Sequence, residues 1–592
     1  MNLMADGAVT AALEDWLAGV NAALAAGDAG KLETLFETDS YWRDILILSG
    51  RQRTVSGGPA IAERLAAEAT GEGLGPLSVA EGHAPPGIVD RAGLSVIEAI
   101  LSFETVKGVG LGLVRLKYPS DTPKAWVFAT TLEDLKGYEE ARIFEEKDDP
   151  AFNPNFHGPN WADKRATARA YADRDPEVLI VGGGHAGLTA AARCVRLDID
   201  TLVVDRMKRV GDNWRLRYHG LRLHNYIHSN HLPYMRFPEG WPTYIPKDRI
   251  ANWLESYVDA MDINFWTETS FEGAAWDAAA QCWTARLKLA DGSERVMRPR
   301  HIVMATSVSG APNVPEIPTL DRFEGPVLHS SQFSAGRDWK GKRVYIFGTG
   351  TSAHDIAQDL EGNGAEVTII QRSPTLIVNI EPSAQLYDGI YWGAGPSHED
   401  RDLINVATPF PVVRIAHKII TDRVKEIDKP LLDGLEKVGF RLDFGEGGTG
   451  WPLKYRTRGG GYYFNVGASD LMAAGRIGLI QYADIDRFEA AGLRMKDGAL
   501  READLVVLAT GYKGQDHMTR VLFGDEVADR VGKVWDIDPE IQELNNMWTP
   551  TPQPGLWYTG GSFAQGRIYS KYLARAIKAE LVGLAPERSG AS

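Results

Sequence analysis

Two glycine-rich turns stand where an apolar run gives way to a helical one, and each has the residue types that hold a pyrophosphate. In the first, Gly182-x-Gly184-x-x-Gly187 follows Val178-Leu179-Ile180-Val181 and precedes an alanine-rich segment reaching Leu197. The first glycine permits a tight turn and the second lets backbone approach phosphate. The third lets helix and strand pack closely, with the helix N-terminus facing the anion. The next run, Thr201 to Val204, ends in Asp205, whose carboxylate can accept the two hydroxyls of an adenosine ribose. In the second turn, Gly348-x-Gly350-x-x-Ala353 follows Val344-Tyr345-Ile346-Phe347 and leads into a helical stretch, His354 to Leu360. Its following strand, Glu366 to Ile370, ends in Gln371-Arg372-Ser373. A guanidinium thus stands where a carboxylate would repel a 2'-phosphate, which favours NADPH over NADH. Two dinucleotides and one redox reaction are the chemistry that this spacing implies.

Cysteine usage separates the redox alternatives. Dithiol reductases with two nucleotide fingerprints need a close cysteine pair, whereas the 2 cysteines here, Cys194 and Cys282, are far apart in sequence. A relay through sequence neighbours is excluded, and each is expected as a buried, inert thiol. There are no metal-spaced His/Cys groups, nucleophile elbows or repeats, so neither a metal site nor a hydrolase is expected. The net charge of −15 comes without a basic tract, which argues against nucleic acid and anionic membranes as partners. Met1 to Leu13 lacks a basic region followed by an apolar core, and no run reaches bilayer length. With low cysteine use, this gives an expectation of cytoplasmic location.

The elements that must position these residues are α/β: two Rossmann-like dinucleotide-binding domains preceded by an α+β domain. At 592 residues and 44% hydrophobic content, the chain can fill several cores. Residues 1–150 carry an amphipathic helix (Leu13, Trp16, Leu17, Val20, Leu24), a second around Leu32, Leu35 and Phe36, and a third near Ile61 to Ala67. Alternating strands follow, with Ile97, Ala99, Leu101 and Phe103 on one face and Glu98, Ser102 and Glu104 on the other. Residues 151–175, with Asn153-Pro154 and Gly158-Pro159, read as a linker. The FAD domain is expected over 176–340 and 506–592, and the NADPH domain over 341–505. An insertion over about 374–467 has Val412, Ile415, Ile419, Val424 and Ile427 on one helix face. Its aromatics Tyr391, Trp392, Trp451, Tyr455, Tyr462 and Tyr463 are candidates to line an apolar pocket.

Phe323-x-Gly325-x-x-x-His329, running on to Phe333, resembles the signature of the class B flavin monooxygenases. These comprise the flavin-containing monooxygenases, the plant auxin-pathway (YUCCA-type) enzymes and their Baeyer-Villiger relatives. Leu508-Ala509-Thr510-Gly511-Tyr512 and the Asp205, Gly211, Trp214 spacing resemble further markers, and the likeness covers about residues 176 to 580. Gly211-Asp212-Asn213 departs from the family's paired glycine. The resemblance implies that Gly182, Gly184, Gly187, Asp205, Trp214, Thr510 and Gly511 hold FAD, and that Gly348, Gly350, Ser352, Ala353 and Arg372 hold NADPH. It also implies a cycle in which NADPH reduces FAD and O2 adds to give a C4a-hydroperoxyflavin. One oxygen then passes to a small organic substrate by N- or S-oxygenation, or by oxidative decarboxylation of an α-keto acid such as an indole-3-pyruvate-like compound. Baeyer-Villiger oxygenation is the alternative, disfavoured by Phe333 in place of tryptophan; a ligand- or partner-binding, redox-sensing flavoprotein is another. His224, Asn225 and His329 are the catalytic candidates. His224 reads equally as a flavin-edge residue or a loop-bridging one, and His329 also as a hinge between nucleotide domains. The helices-then-strands order of residues 1–150 resembles the NTF2-like (SnoaL-like) cone. A pocket there would draw on Tyr41, Trp42, Asp44 or His83, and a docking role or a homodimer through this domain is the plainer expectation.

Overall fold

The computed structural model describes residues 3–120, 122–140, 157–307 and 310–585. The N-terminal unit opens with the helix Leu3–Ala26, whose three- and four-residue spacing buries Leu13, Trp16 and Val20 along one stripe. A short helix, Ala29–Thr34, is capped by the Asp28 carboxylate accepting from the Lys31 N–H at 2.9 Å. It stops before Leu35, and Phe36 already belongs to the first strand, Phe36–Ile45, where it meets Trp16 and Phe128 edge-on at 6.4 and 6.2 Å. The third helix is Gly58–Glu72. The sheet runs Gln52–Ser56, Phe36–Ile45, Ala125–Leu135, Gly108–Lys117, Leu94–Glu104, Ser78–Val79, with Gly87–Arg91 also on Leu94–Glu104. Only the pairing of Phe36–Ile45 with Ala125–Leu135 is parallel.

The first nucleotide unit is a parallel five-stranded sheet in the order Asn264–Trp266, Thr201–Val204, Val178–Val181, His301–Met304, Leu556–Tyr558. The second is likewise parallel: Val327–His329, Leu505–Leu508, Arg343–Phe347, Glu366–Gln371, Gly478–Gln481. Two strands fall across the expected boundaries. Val327–His329 lies in the second sheet although it precedes residue 341, and Leu505–Leu508 straddles residue 505, because Leu505–Leu508 pairs with Arg343–Phe347 on one side and carries Val327–His329 as the edge strand on the other. Residues expected as a linker contain the helix Trp161–Ala170, started by a capping box in which Asn160 and Asp163 satisfy each other's backbone N–H groups. Asn153-Pro154 and the expected boundary at residue 150 lie outside the described residues.

The N-terminal unit is fastened to the rest by buried and half-buried charge. Arg43 donates from Nε and Nη2 to the two oxygens of Glu543 at 2.8 and 2.5 Å, and both side chains are buried. Thr54 Oγ1 donates to the same carboxylate at 2.8 Å, and Arg43 also donates to the Val406 carbonyl. Lys571 and Arg575 on the C-terminal helix Phe563–Leu581 pair with Glu133 and Asp134 at 2.7 and 3.0 Å. Replacing one member of a buried pair leaves an uncompensated charge, so Glu543→Gln is expected to lower stability by about 3–5 kcal/mol. Chemical denaturation with a probe in each unit checks this, and a midpoint unchanged from the parent would contradict it.

Candidate active site

Both glycine turns are built the same way. Gly182 has φ +109°, and a Cβ there would stand 2.6 Å from the carbonyl oxygen of Ala305, just past the neighbouring strand. Gly348 has φ +111°, and its Cβ would stand 2.3 Å from the carbonyl oxygen of Ala509. Both positions need glycine for the left-handed backbone and for the approach. Gly184 and Gly350 occupy the N-caps of the helices His185–Arg196 and Thr351–Gly362 without a side-chain cap, which leaves backbone N–H groups facing the turn. At Gly187 a Cβ would sit 2.0 Å from the Gly182 carbonyl oxygen, whereas the equivalent Ala353 is accommodated and fully buried.

The acid and the arginine sit where the spacing placed them. Asp205 accepts from the Gly183 and Met207 N–H groups at 2.6 and 2.8 Å, so the carboxylate closes the first turn. Arg372 is exposed, follows Glu366–Gln371, and its guanidinium is in no ion pair among the described residues. Both line a single cavity of about 1760 Å³ that also takes in Gly182, Gly184, Gly348 and Gly350. On its walls Trp214 Nε1, Thr306 Oγ1, Gln515 Oε1 and Arg217 Nε are buried without a partner among the described residues. Buried polar atoms are normally satisfied, so these unmet groups, beside two phosphate cradles, fit the polar edges of bound dinucleotides. Ser352 also lines the cavity, next to Tyr218, whose hydroxyl donates to Asp355 at 2.7 Å.

The three candidate catalytic residues part company. His329 uses both ring nitrogens structurally: Nδ1 pairs with Ser331 Oγ at 2.8 Å and Nε2 with the Gly511 carbonyl at 3.0 Å. Thr510 Oγ1 donates to the Asn313 carbonyl at 2.6 Å, beside the two-stranded ladder Ala311–Pro312 with Tyr512–Lys513. His329, Thr510 and Gly511 therefore clamp the crossing between the two sheets, and both ring nitrogens of His329 are engaged there. His224 and Asn225 line the cavity and are tied to the insertion. Gln385 donates to the His224 carbonyl at 2.9 Å, and Asn225 Nδ2 donates to Asp388 at 2.8 Å. The His224 ring meets Phe464 edge-on at 4.7 Å, and burial pushes its pKa down to about 4.

Of the insertion aromatics, Tyr391, Trp451, Tyr455 and Tyr462 line the cavity, Tyr463 is stacked on His354 at 4.2 Å in the second core, and Trp392 lies off it. On the helix Phe410–Ile427 the expected apolar face divides. Val412 and Val424 are buried, while Ile415, Ile419 and Ile427 are exposed. Cys194 and Cys282 are both buried and free. In the N-terminal unit, Trp42 and Asp44 are core residues bonded to Thr130, and His83 pairs with Asp400 at 2.6 Å. The residues that this unit does bring to the cavity are Arg91, Ala92 and Arg115. The signal for them was available: a charged residue inside the apolar run Leu113-Val114-Arg115-Leu116 must find a buried partner.

Residues 175–387 match the family described as Flavin-binding monooxygenase-like. A curated relative, indole-3-pyruvate monooxygenase YUCCA1 of Oryza sativa subsp. japonica, is 29% identical over 343 residues, 57% of this chain and 77% of that protein. A second, probable indole-3-pyruvate monooxygenase YUCCA10 of Arabidopsis thaliana, is 29% identical over 339 residues, 57% of this chain and 81% of that protein. Among solved structures, cyclohexanone monooxygenase in an open form superposes with a TM-score of 0.51 at 19% identity, covering 69% of this chain and 89% of that one. The enzyme from Rhodococcus sp. Phi1 bound to NADP+ gives 0.50 at 20% identity, covering 69% and 85%.

Two measurements check the site. Gly187→Ala forces the turn off the helix and is expected to strip bound flavin, read as visible absorbance against protein absorbance, while Ala353→Gly leaves flavin content unchanged. Because His224 takes up a proton only as pH falls through about 4, kcat/KM is expected to show no inflection near 6.5 that His224→Asn removes; such an inflection would assign it proton transfer. The matched segment and the paired cradles make this chain similar to the flavin-binding monooxygenases over residues 175–387 and to the indole-3-pyruvate monooxygenases, which are oxidoreductases, and it shares its fold with cyclohexanone monooxygenase.

Proposed function

We propose that the protein uses FAD and NADPH to pass one oxygen atom of O2 to a small, largely apolar organic molecule, and that oxidative decarboxylation of an α-keto acid is the reaction it fits best. The observation that carries this reading is one cavity lined by both glycine cradles, by Arg372 and by the apolar side of the insertion. The nearest chemistry is that named for the indole-3-pyruvate relatives. An α-keto acid, O2, NADPH and a proton would give the acid one carbon shorter, CO2, NADP+ and water. N- or S-oxygenation uses the same O2, NADPH and proton, with an amine or sulfide in place of the α-keto acid and an N- or S-oxide in place of the acid and CO2. Phe333, buried in the second core where Baeyer-Villiger enzymes have tryptophan, weighs against a ketone substrate.

Bound flavin would supply electron transfer and oxygen activation, and the chain's residues do the rest. The Gly182–Gly187 turn and Asp205 hold one dinucleotide, with Trp214 Nε1 and Thr306 Oγ1 as donors facing it. The Gly348–Ala353 turn and Arg372 hold the other. Trp451, Tyr455 and Trp535 keep water from the space between. His224, neutral at working pH, and Asn225, fixed by Asp388, meet that space as positioning groups. For the N-terminal unit, three helices and a long, mostly antiparallel sheet closed by one parallel pair support an NTF2-like reading.

Two experiments test the proposal. Under 18O2 with NADPH and a panel of α-keto acids, amines and sulfides, one labelled atom should enter a product; NADPH oxidation yielding only hydrogen peroxide across the panel would overturn the reading. Arg372→Ala should raise the KM for NADPH by about tenfold or more, leaving kcat and the KM for NADH near the parent values.

A further inference from the structure

The N-terminal unit forms part of the cavity wall, and one of the three residues it places there is chemically unfinished. Arg115, on the strand Gly108–Lys117, is 1% exposed and lines the cavity. Its Nε donates to Glu98 Oε2 at 2.8 Å and its Nη2 to Thr408 Oγ1 at 3.0 Å. Its Nη1 is buried with no hydrogen-bond partner among the described residues. A buried charged donor left unmet is costly, so this group calls for an acceptor.

The charge balance around it points the same way. Glu98 is shared, since Arg91 also donates to its two oxygens at 2.6 and 2.8 Å, so one carboxylate faces two guanidiniums. Beyond the Thr408–Phe410 segment, Arg43 and Arg456 stand 5.4 and 5.9 Å from the Phe410 ring. Glu543 neutralises Arg43. Arg456, also on the cavity wall, is in no ion pair among the described residues and donates from Nη1 to the Pro452 carbonyl at 3.2 Å. The helix Phe410–Ile427 begins here without a side-chain cap, adding the positive end of its dipole. From this positive end, Val412, Ala416 and Ile420 run one turn apart along the cavity. The phosphate cradles are built from other elements. They lie at the ends of Val178–Val181 and Arg343–Phe347, and none of Arg115's partners comes from either.

We propose that the N-terminal unit completes the substrate site: Arg115, aimed by Glu98 and Thr408, receives the carboxylate of an amphiphilic acid whose apolar body lies along Val412, Ala416 and Ile420. The family match begins at residue 175, so this contact belongs to a part of the chain outside it. The inference rests on the proposed function, in that the ligand is the molecule turned over.

The test uses full-length, flavin-loaded protein and a panel of aryl and alkyl α-keto acids, each paired with its methyl ester. Binding is followed by perturbation of the oxidised flavin spectrum. Acids should bind at least about tenfold tighter than their esters, Arg115→Met should abolish that preference, Arg115→Lys should keep part of it, and NADP+ affinity should not change. Wild-type protein that binds no acid better than its ester overturns the proposal, whether or not the Met variant folds. So does an Arg115→Met variant that loses NADP+ while keeping the acid preference, which would make the acceptor a cofactor phosphate. Oxygen transfer measured in parallel separates the two readings. Acid preference without transfer supports this site and removes the proposed function, whereas transfer without acid preference does the reverse.

Discussion

The close approach of backbone to backbone at the two cradle turns is the constraint on which the rest of the architecture depends. Each cradle turn lies against the carbonyl that ends its neighbouring parallel strand, Ala305 for Gly182 and Ala509 for Gly348, at separations no side chain tolerates. The approach fixes strand, turn and helix as one rigid piece in each unit and points both helix N-termini into the same space. The relation between the units is then set where the chain crosses. Ala509 is followed by Thr510 and Gly511, which bond Asn313 and His329. The carbonyl that shapes the second cradle and the clamp between the sheets are thus consecutive in sequence, so the spacing of the two cradles cannot change without disturbing one of them.

Docking of the N-terminal unit obeys a different physics. Its contacts with the first nucleotide unit include Arg43 with Glu543, Lys571 with Glu133 and Arg575 with Asp134. Buried ion pairs add little net stability because desolvation offsets attraction, but they penalise any arrangement that separates them. Such pairs hold register more than they add stability. Register matters here because the same sheet supplies Arg91 and Arg115 to the cavity, and Arg115 needs Thr408 of the insertion within hydrogen-bond reach.

Legibility in the sequence followed how local each cause was. The cradles were readable because a glycine spacing, a preceding apolar run and a terminal acid or arginine lie within a few dozen residues, and the structure places them as spaced. The helix Trp161–Ala170 was hidden by neighbouring breakers, although Asn160 with Asp163 is a cap in its own right. The strand Val327–His329 pairs with Leu505–Leu508, a partner so distant that no local pattern assigns it to the second sheet. Alternation along Leu94–Glu104 correctly separates Ile97 and Leu101 from Glu98, yet cannot tell that the second face is covered: Glu98 is only 8% exposed because Arg91 and Arg115 close over it. Trp392, Tyr455 and Tyr463 look alike as sequence, and only the packing of the insertion separates the cavity from the core.

The insertion is where these separate causes meet. Through Gln385 and Asp388 it holds the His224–Asn225 segment, and through Thr408 it holds Arg115 of the N-terminal unit. Thr408 lies between the helices His398–Val406 and Phe410–Ile427, bent at 105°. No single helix among the described residues is long and apolar enough to cross a membrane, and the bend follows the cavity instead, with Ile404, Asn405 and Thr408 before the corner and Val412 and His417 after it on the wall. Pro409, which has no N–H to donate and disfavours helix at Thr408, explains why the chain turns there. That same turn exposes the start of the second helix beside Arg115 and Arg456. One proline therefore bends the cavity wall and brings an uncapped helix start to guanidiniums supplied by two other parts of the chain.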